Sequence, residues 1–273
     1  MKLILFAKMF KEHSLEEMAD LACAWGVDGY DLAVRPDYPV NPDNVGTALG
    51  DAVRLMQGRG LDIPMVTGNF DVLQPDAANA EPLVAAMGEA GVGLLKLGYF
   101  KFDPVAQDYW DEVDSVRRAL EGWQGLGAKH GVKICYHTHS NRCMGLNAGL
   151  LMHLLRGFDP RHIGAYLDTA HLTAEGEEFA VAAAVAGEYF SILSVKDMLL
   201  QRGERNGHGT KVARTVVAGA GMVDWTAVTA ELDRLGFSGP LSIHCEFEVP
   251  EGEEFVPTAK REAAFFRNLL GRA

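Results

Sequence analysis

Eight short apolar runs punctuate this 273-residue chain, and their spacing constrains the fold more than any other feature. LILFA, GYDLAV, LDIPMVT, GLLKLGY, VKICYHTH, IGAYLD, SILSVKD and GPLSIHCEF begin near residues 3, 29, 61, 93, 132, 163, 191 and 239, at intervals of 26 to 48 residues. Runs of this length bounded by turn residues read as strands, and the amphipathic stretches between them read as helices. The first helix is marked by a capping box, Ser14 with Glu17, by apolar residues at Leu15, Met18, Leu21, Ala22 and Trp25, and by a stop at Gly26. Others are expected from Tyr109 to His130, stopped by Gly131, from near Asp224 to Gly236, and from about Thr258 with Ala263, Phe266 and Leu269 or Leu270 on one face. Strands alternating with helices through glycine-terminated returns predict an α/β fold, a single (β/α)8 TIM barrel that occupies residues 1–273 as one domain. A doubly wound open sheet is the alternative, weakened because no Gly-x-Gly-x-x-Gly follows the first strand.

Charge and cysteine content narrow the function classes. The chain carries 25 Lys and Arg against 37 Asp and Glu, a formal net charge of −12, and no basic run. It therefore repels phosphate polymers, and nucleic acid is excluded as a partner. No apolar stretch approaches the ~20 residues of a membrane span. The start, MKLILFAKMF, imitates a signal sequence only faintly and reads as a strand. Cys23, Cys135, Cys143 and Cys245 have no disulfide-framework spacing, which fits a reduced, cytoplasmic compartment. Self-association into a homo-oligomer is left open.

A barrel of this kind works at the carboxyl ends of its strands. There the last four runs end in ionisable groups. His137 and His139 share a face on the fifth, with Cys135; Asp168 closes the sixth and His171 follows it. Ser194 and Lys196 share a face on the seventh, and His244 and Glu246 on the eighth. Facing inward, they form a lower layer of His137, Ser194 and His244 and an upper layer of His139, Lys196 and Glu246, with Asp168 between. Such groups are costly to bury without partners, so the pattern points to a metal or proton-transfer site. The alternative is a satisfied polar layer, in which Lys196 pairs with Asp168 and Glu246 and the histidines bond to backbone. Arg35 is a candidate to hold a substrate phosphate or carboxylate, and Lys96 is either a substrate ligand or a snorkelling edge residue. His208, in RGERNGHGT, lies on a loop long enough to act as a lid. GAGMVDW presents either a seat for a small anion or a plain helix cap at Asp224.

YHTHS, LDTAHLTAEG, SVKDM, GAGMVDW and GFSGPLSIHCEFE together give the chain a resemblance to the xylose-isomerase-like TIM-barrel superfamily of sugar phosphate isomerases and epimerases, over essentially its whole length. The resemblance implies a divalent ion held by Glu, Asp, His and Glu from strands five to eight, with two glutamates moving protons. Those positions fall on His137, Asp168, Ser194 and His244, so only the Asp is retained, as are the Asp168–His171 and Lys196–Asp197 patterns.

The reading that follows is a carbohydrate enzyme transferring a proton next to the carbonyl of a small polyol, keto-sugar or sugar phosphate. His137, Asp168 and His244 are its candidate ligands for Mn, Zn or Co, Glu246 or His139 its base, and Lys196 its electrophile. Arg35, Lys96 and His171 are the candidate substrate contacts. A keto-inositol-type dehydratase and a catalytically inactive sugar-binding barrel are the alternatives, while net charge argues against the abasic-site endonucleases of the same superfamily.

Overall fold

A computed structural model describes residues 1–68 and 72–272. Seven barrel strands come first: β1 (Leu3–Phe6), β2 (Gly29–Ala33), β3 (Asp62–Thr67), β4 (Leu94–Lys96), β5 (Lys133–His137), β6 (Ile163–Asp168) and β7 (Phe190–Val195). An antiparallel hairpin of β8 (Asp197–Arg205) and β9 (His208–Val216) intervenes before the last barrel strand, β10 (Leu241–Ile243). The eight barrel strands pair in parallel in the order β1-β10-β7-β6-β5-β4-β3-β2 and close.

Helices follow the strands as the patterning predicts. α1 (Leu15–Trp25) begins in the reciprocal capping box, with Glu17 N–H donating to Ser14 Oγ and Ser14 N–H to Glu17 Oε2, and stops at Gly26 with φ +68°. α2 (Val45–Gly58), α3 (Ala80–Ala90), α4 (Tyr109–His130) and α5 (Ala148–Leu155) cover β2 to β5 in turn. Two short helices, α6 (Thr169–Glu175) and α7 (Phe179–Ala186), follow β6. α8 (Trp225–Leu235), capped by Asp224 and ended by Gly236, follows the hairpin, and α9 (Phe255–Leu269) follows β10. No helix among the described residues is long and apolar enough to cross a membrane.

Strand side chains alternate between two cores. Outward residues pack with the helices in a continuous layer that includes the fully buried Leu3, Tyr30, Leu49 and Trp123. Each fully buried aliphatic or Phe side chain there contributes about 1.5–3 kcal/mol. Inward, Ile4, Met65, Cys135, Tyr166 and Ile192 make a compact plug below the mouth, with Leu94 against it. Above that plug the inward positions are mostly polar or charged, with Phe6 as an apolar wall, and this is what builds the site.

Two local features differ from the sequence expectation. RGERNGHGT is a regular hairpin whose turn, Asn206–Gly207, has both residues at positive φ, the Asn-Gly signature of a tight β-turn. The glycines of GAGMVDW receive an anion supplied by the chain itself. The Asp197 carboxylate accepts hydrogen bonds from the N–H groups of Met198, Gly219, Gly221 and Val223 and from Trp225 Nε1, at 2.8–3.1 Å. A side chain at position 221 would overlap this carboxylate, since a Cβ there would lie 2.1 Å from an Asp197 oxygen.

Candidate active site

Period-two geometry carries the ends of β5, β6, β7 and β10 to one point. Asp168 is both the last residue of β6 and the N-cap of α6; its Oδ1 accepts the His171 N–H at 3.0 Å, which turns the His171 ring toward the mouth. Its Oδ2 lies 3.0 Å from Lys196 Nζ and 3.3 Å from His137 Nε2. Lys196 Nζ also reaches Glu246 Oε2 and His171 Nε2, each at 3.2 Å. Glu246 in turn receives Lys8, from the 3-10 turn after β1. Thr169 fixes the strand end beneath: its hydroxyl donates to the Lys196 carbonyl at 2.7 Å and accepts the Lys196 N–H.

His171 and His244 are engaged on both ring nitrogens, whereas His137 Nε2 faces Asp168 without an aligned hydrogen bond and His139 is held at Nδ1. His137 Nδ1 pairs with Tyr99 Oη at 2.7 Å while Nε2 faces Asp168. His244 Nε2 pairs with Tyr166 Oη at 2.9 Å and Nδ1 lies 3.4 Å from Glu246. His171 Nδ1 meets Ser140 Oγ at 2.9 Å, and His139, stacked between Tyr99 and His171, faces the Ser140 carbonyl. Deeper in, Asp31 accepts from Thr67 and Ser242 at 2.7 and 3.0 Å.

β10 is only three residues long, yet His244 and Glu246, two residues apart, both line the mouth; Cys245 between them adopts φ +50°, rare for a residue with a side chain. The result is a cavity of about 90 Å³ bounded by Phe6, Lys8, Arg35, Thr67, Lys96, Tyr99, His139, Lys196, His244 and Glu246.

Electrostatics sort these groups. Burial opposes ionisation of Asp168, but Lys196, His171 and His137 outweigh it and hold the carboxyl well below its ordinary range. Glu246 is likewise held far down, against its burial, by Lys196 and His244. Lys196 is raised, burial being outweighed by Asp168 and Glu246. Burial depresses His137 and His171 strongly and takes His139 to about 4, so all three rings are neutral. Lys96 goes the other way from Lys196: burial first, then the Arg35 charge, bring it down to about 7.

All nine sequence-selected residues thus gather at the mouth or directly behind it. Arg35 is 6% exposed rather than the solvated loop residue its position suggests, and Lys96, 4% exposed, lies with Nζ 3.8 Å from the Tyr99 ring centre. Lys196 pairs with Asp168 and Glu246 as in the polar-layer alternative, but the histidines bond chiefly to tyrosine, serine and carboxylate side chains rather than to backbone. Four members were not anticipated: Lys8, Asp31, Tyr99 and Tyr166. Asp31 and Tyr166 share strand parity with inward positions of GYDLAV and IGAYLD, so the rule that found His137 reaches them too.

As a metal centre the donor set does not fit. Among the described residues no three His, Cys, Asp or Glu side chains converge on a point that could hold an ion. His137 and Asp168 face each other, His244 turns to Tyr166 and Glu246, and Lys196 Nζ stands against the Asp168 oxygen an ion would take. The position where the resemblance puts a histidine ligand is Ser194, wholly buried.

Comparison with known proteins agrees with the architecture. The model of the xylose isomerase-like TIM barrel family matches residues 19–269. The chain belongs to that family. Over 180 residues it is 24% identical to an inosose dehydratase of Lacticaseibacillus casei, an alignment covering 63% of this chain; the chain spans only 59% of the length of that relative. A solved 3-keto-D-glucoside 4-epimerase from E. coli superposes with TM-score 0.76 at 15% identity, covering 98% of this chain and 99% of the other. A D-psicose 3-epimerase from Clostridium cellulolyticum H10 gives 0.68 at 17% identity, covering 99% of each chain. A probable 3-DHS dehydratase from Bacillus anthracis gives 0.73 at 15%, covering 98% and 99%. At these identities the structural likeness is one of fold.

Proposed function

We propose that this barrel is the catalytic domain of a sugar isomerase/epimerase-like enzyme that moves a proton next to the carbonyl of a small polyol, keto-sugar or sugar phosphate. The observation that carries the reading is a pair of buried lysines in opposite states on one small cavity. Lys196 is held as an ammonium by two carboxylates, while Lys96 is brought to about 7. Environments that push two titratable groups apart assign acid and base. A base works best with a pKa near the operating pH, so Lys96 takes the carbon-bound proton, and Lys196 stabilises the oxygen that becomes negative. Returning the proton to the neighbouring carbon, with the hydroxyl proton passing from one oxygen to the other, gives an isomer; a proton delivered to the opposite face of the same carbon by a second donor gives an epimer. Glu246, ionised and bridged by Lys8 and Lys196, is too weak a base for the proton-abstracting role expected of it; it serves as the counterion that orients Lys196. Neutral His139 and His171 are placed to bond substrate hydroxyls, and Arg35 to meet a phosphate or carboxylate at the rim. The reading supposes a reduced, cytoplasmic setting.

The likeness to inosose dehydratases supports a second reading, in which the same enolate expels hydroxide from the next carbon. Incubating the protein with keto-sugars and their phosphates in deuterated water separates the two. An isomerase or epimerase incorporates deuterium beside the carbonyl with no loss of water, whereas a dehydratase yields a product lighter by one water. Equal exchange by the wild type and Lys196→Met would refute both.

A further inference from the structure

We propose that Lys196 is itself the resident cation of this site: its ammonium takes the place beside Asp168 that a divalent ion would take, and the substrate carbonyl is polarised without a metal. The second half rests on the proton-transfer reading above; the first stands on geometry alone.

Three observations point the same way. First, Nζ has three electron-rich atoms within 3.0–3.2 Å: Asp168 Oδ2 as its ion-pair partner, and Glu246 Oε2 and His171 Nε2 as hydrogen-bond acceptors. An ion bound to the same Asp168 oxygen at the usual ~2.0–2.2 Å would sit within a few ångströms of the ammonium, where like charges in a dry mouth repel strongly. Second, charge is already balanced: Asp168 and Glu246 face Lys196 and Lys8, leaving no negative surplus for a dication. Third, the Lys196 backbone is clamped on both sides by the Thr169 hydroxyl, which fixes where the ammonium emerges from β7. The cage is therefore built for this side chain.

In the reaction a carbonyl oxygen replaces neutral His171 as the third acceptor of Nζ. The C–H bond breaks, its proton passes to the Lys96 amine, its electron pair forms the carbon–carbon double bond, and the carbonyl π pair moves onto the oxygen bonded to Lys196. Lys96 then returns the proton to the neighbouring carbon, the hydroxyl proton of the first carbon passes to the oxygen held by Lys196, and the carbon–oxygen double bond re-forms at the first carbon, so no oxidant, reductant or further ion is needed.

The test is a titration of chelator-treated protein with MnCl2, ZnCl2 and CoCl2 by calorimetry and elemental analysis, in the wild type, Asp168→Asn, Lys196→Met and the double variant. We expect wild type and Asp168→Asn to bind these ions equally weakly. Lys196→Met, which frees two carboxylates, should bind at least one of them about tenfold or more tightly, and the double variant should lose that gain. One ion per wild-type chain, abolished by Asp168→Asn, overturns the proposal, as does Lys196→Met binding no better than wild type. Should Lys196→Met fail to fold, the wild-type and Asp168→Asn titrations decide alone. Deuterium exchange that stops on chelation and returns with Mn2+ overturns the inference while keeping the proton-transfer reading; absence of exchange on every substrate removes that reading and leaves the ion titrations to judge the cation.

Discussion

Asp168 and Asp197 are both buried carboxylates at the mouth end of neighbouring strands, and they are satisfied in opposite ways. Asp197 collects five N–H donors, four from one glycine-rich turn and one from the next residue, Met198, so both oxygens are filled by groups that cannot leave. Asp168 fills only Oδ1 in this manner; Oδ2 meets Lys196 and His137 without a well-aligned hydrogen bond. Natural structures pair nearly all buried polar groups, and the exceptions concentrate where chemistry is done. Lys196, turned into the cavity, and Asp197, turned into the scaffold, are consecutive residues. That single step of strand parity divides the SVKD motif into a working half and a structural half.

The comparison is broken most directly by removing each carboxylate. Asp197→Ala strands several buried donors around one turn and should cost about 3–5 kcal/mol, lowering Tm by about 10 °C or more, while the protein that remains folded keeps near-normal turnover. Asp168→Asn should show the reverse, a fall of about 10²–10³ in kcat/KM with a smaller loss of Tm, because Glu246 still pairs with the ammonium. Thermal melts and deuterium-exchange rates on both variants check this; an Asp197→Ala protein that melts normally but cannot turn over would erase the distinction.

Fold and site were unequally legible in the sequence. The barrel could be read because each strand and helix carries its own local signal, from the Ser14–Glu17 box to the glycine stops, and because eight such units admit few closures. The inward set of β5, β7 and β10 was legible by alternation alone. Partnership was not: nothing local says that Lys196 rather than an ion faces Asp168, since that depends on where four strands of different length end. Lys8 was missed because the run LILFA passes into a 3-10 turn. In GAGMVDW the helix cap at Asp224 is present, and the seat read as open to a small anion is filled by a carboxylate from more than twenty positions earlier.

Glu246 sharpens the comparison from the side of the working half. As the counterion of Lys196 and Lys8, its replacement in Glu246→Gln should slow turnover by about tenfold, the rate still rising with pH through about 7 as Lys96 loses its proton. A general base removed outright costs about 10²–10⁴. A loss in that range, with the rise near 7 abolished, would return the base to Glu246.

The smallest effect concerns a third carboxylate, on the scaffold side. Glu262 of α9 is 2% exposed, and burial raises it from 4.5 to about 7 even though its Oε1 accepts the Ala218 N–H at 3.0 Å. Because the folded value exceeds the unfolded one, the folded chain holds this proton more tightly. The associated stability is full below about 4.5 and is lost as pH rises through about 7. Glu262→Gln keeps the shape and removes the titration, so its stability relative to wild type should grow across that window by on the order of 1 kcal/mol and then stay level. Denaturant melts at pH 5, 6, 7 and 8 measure the difference. A constant offset would mean that Glu262 is ionised throughout, paired as completely as Asp197, and that the scaffold contains no second carboxylate of the incompletely satisfied kind.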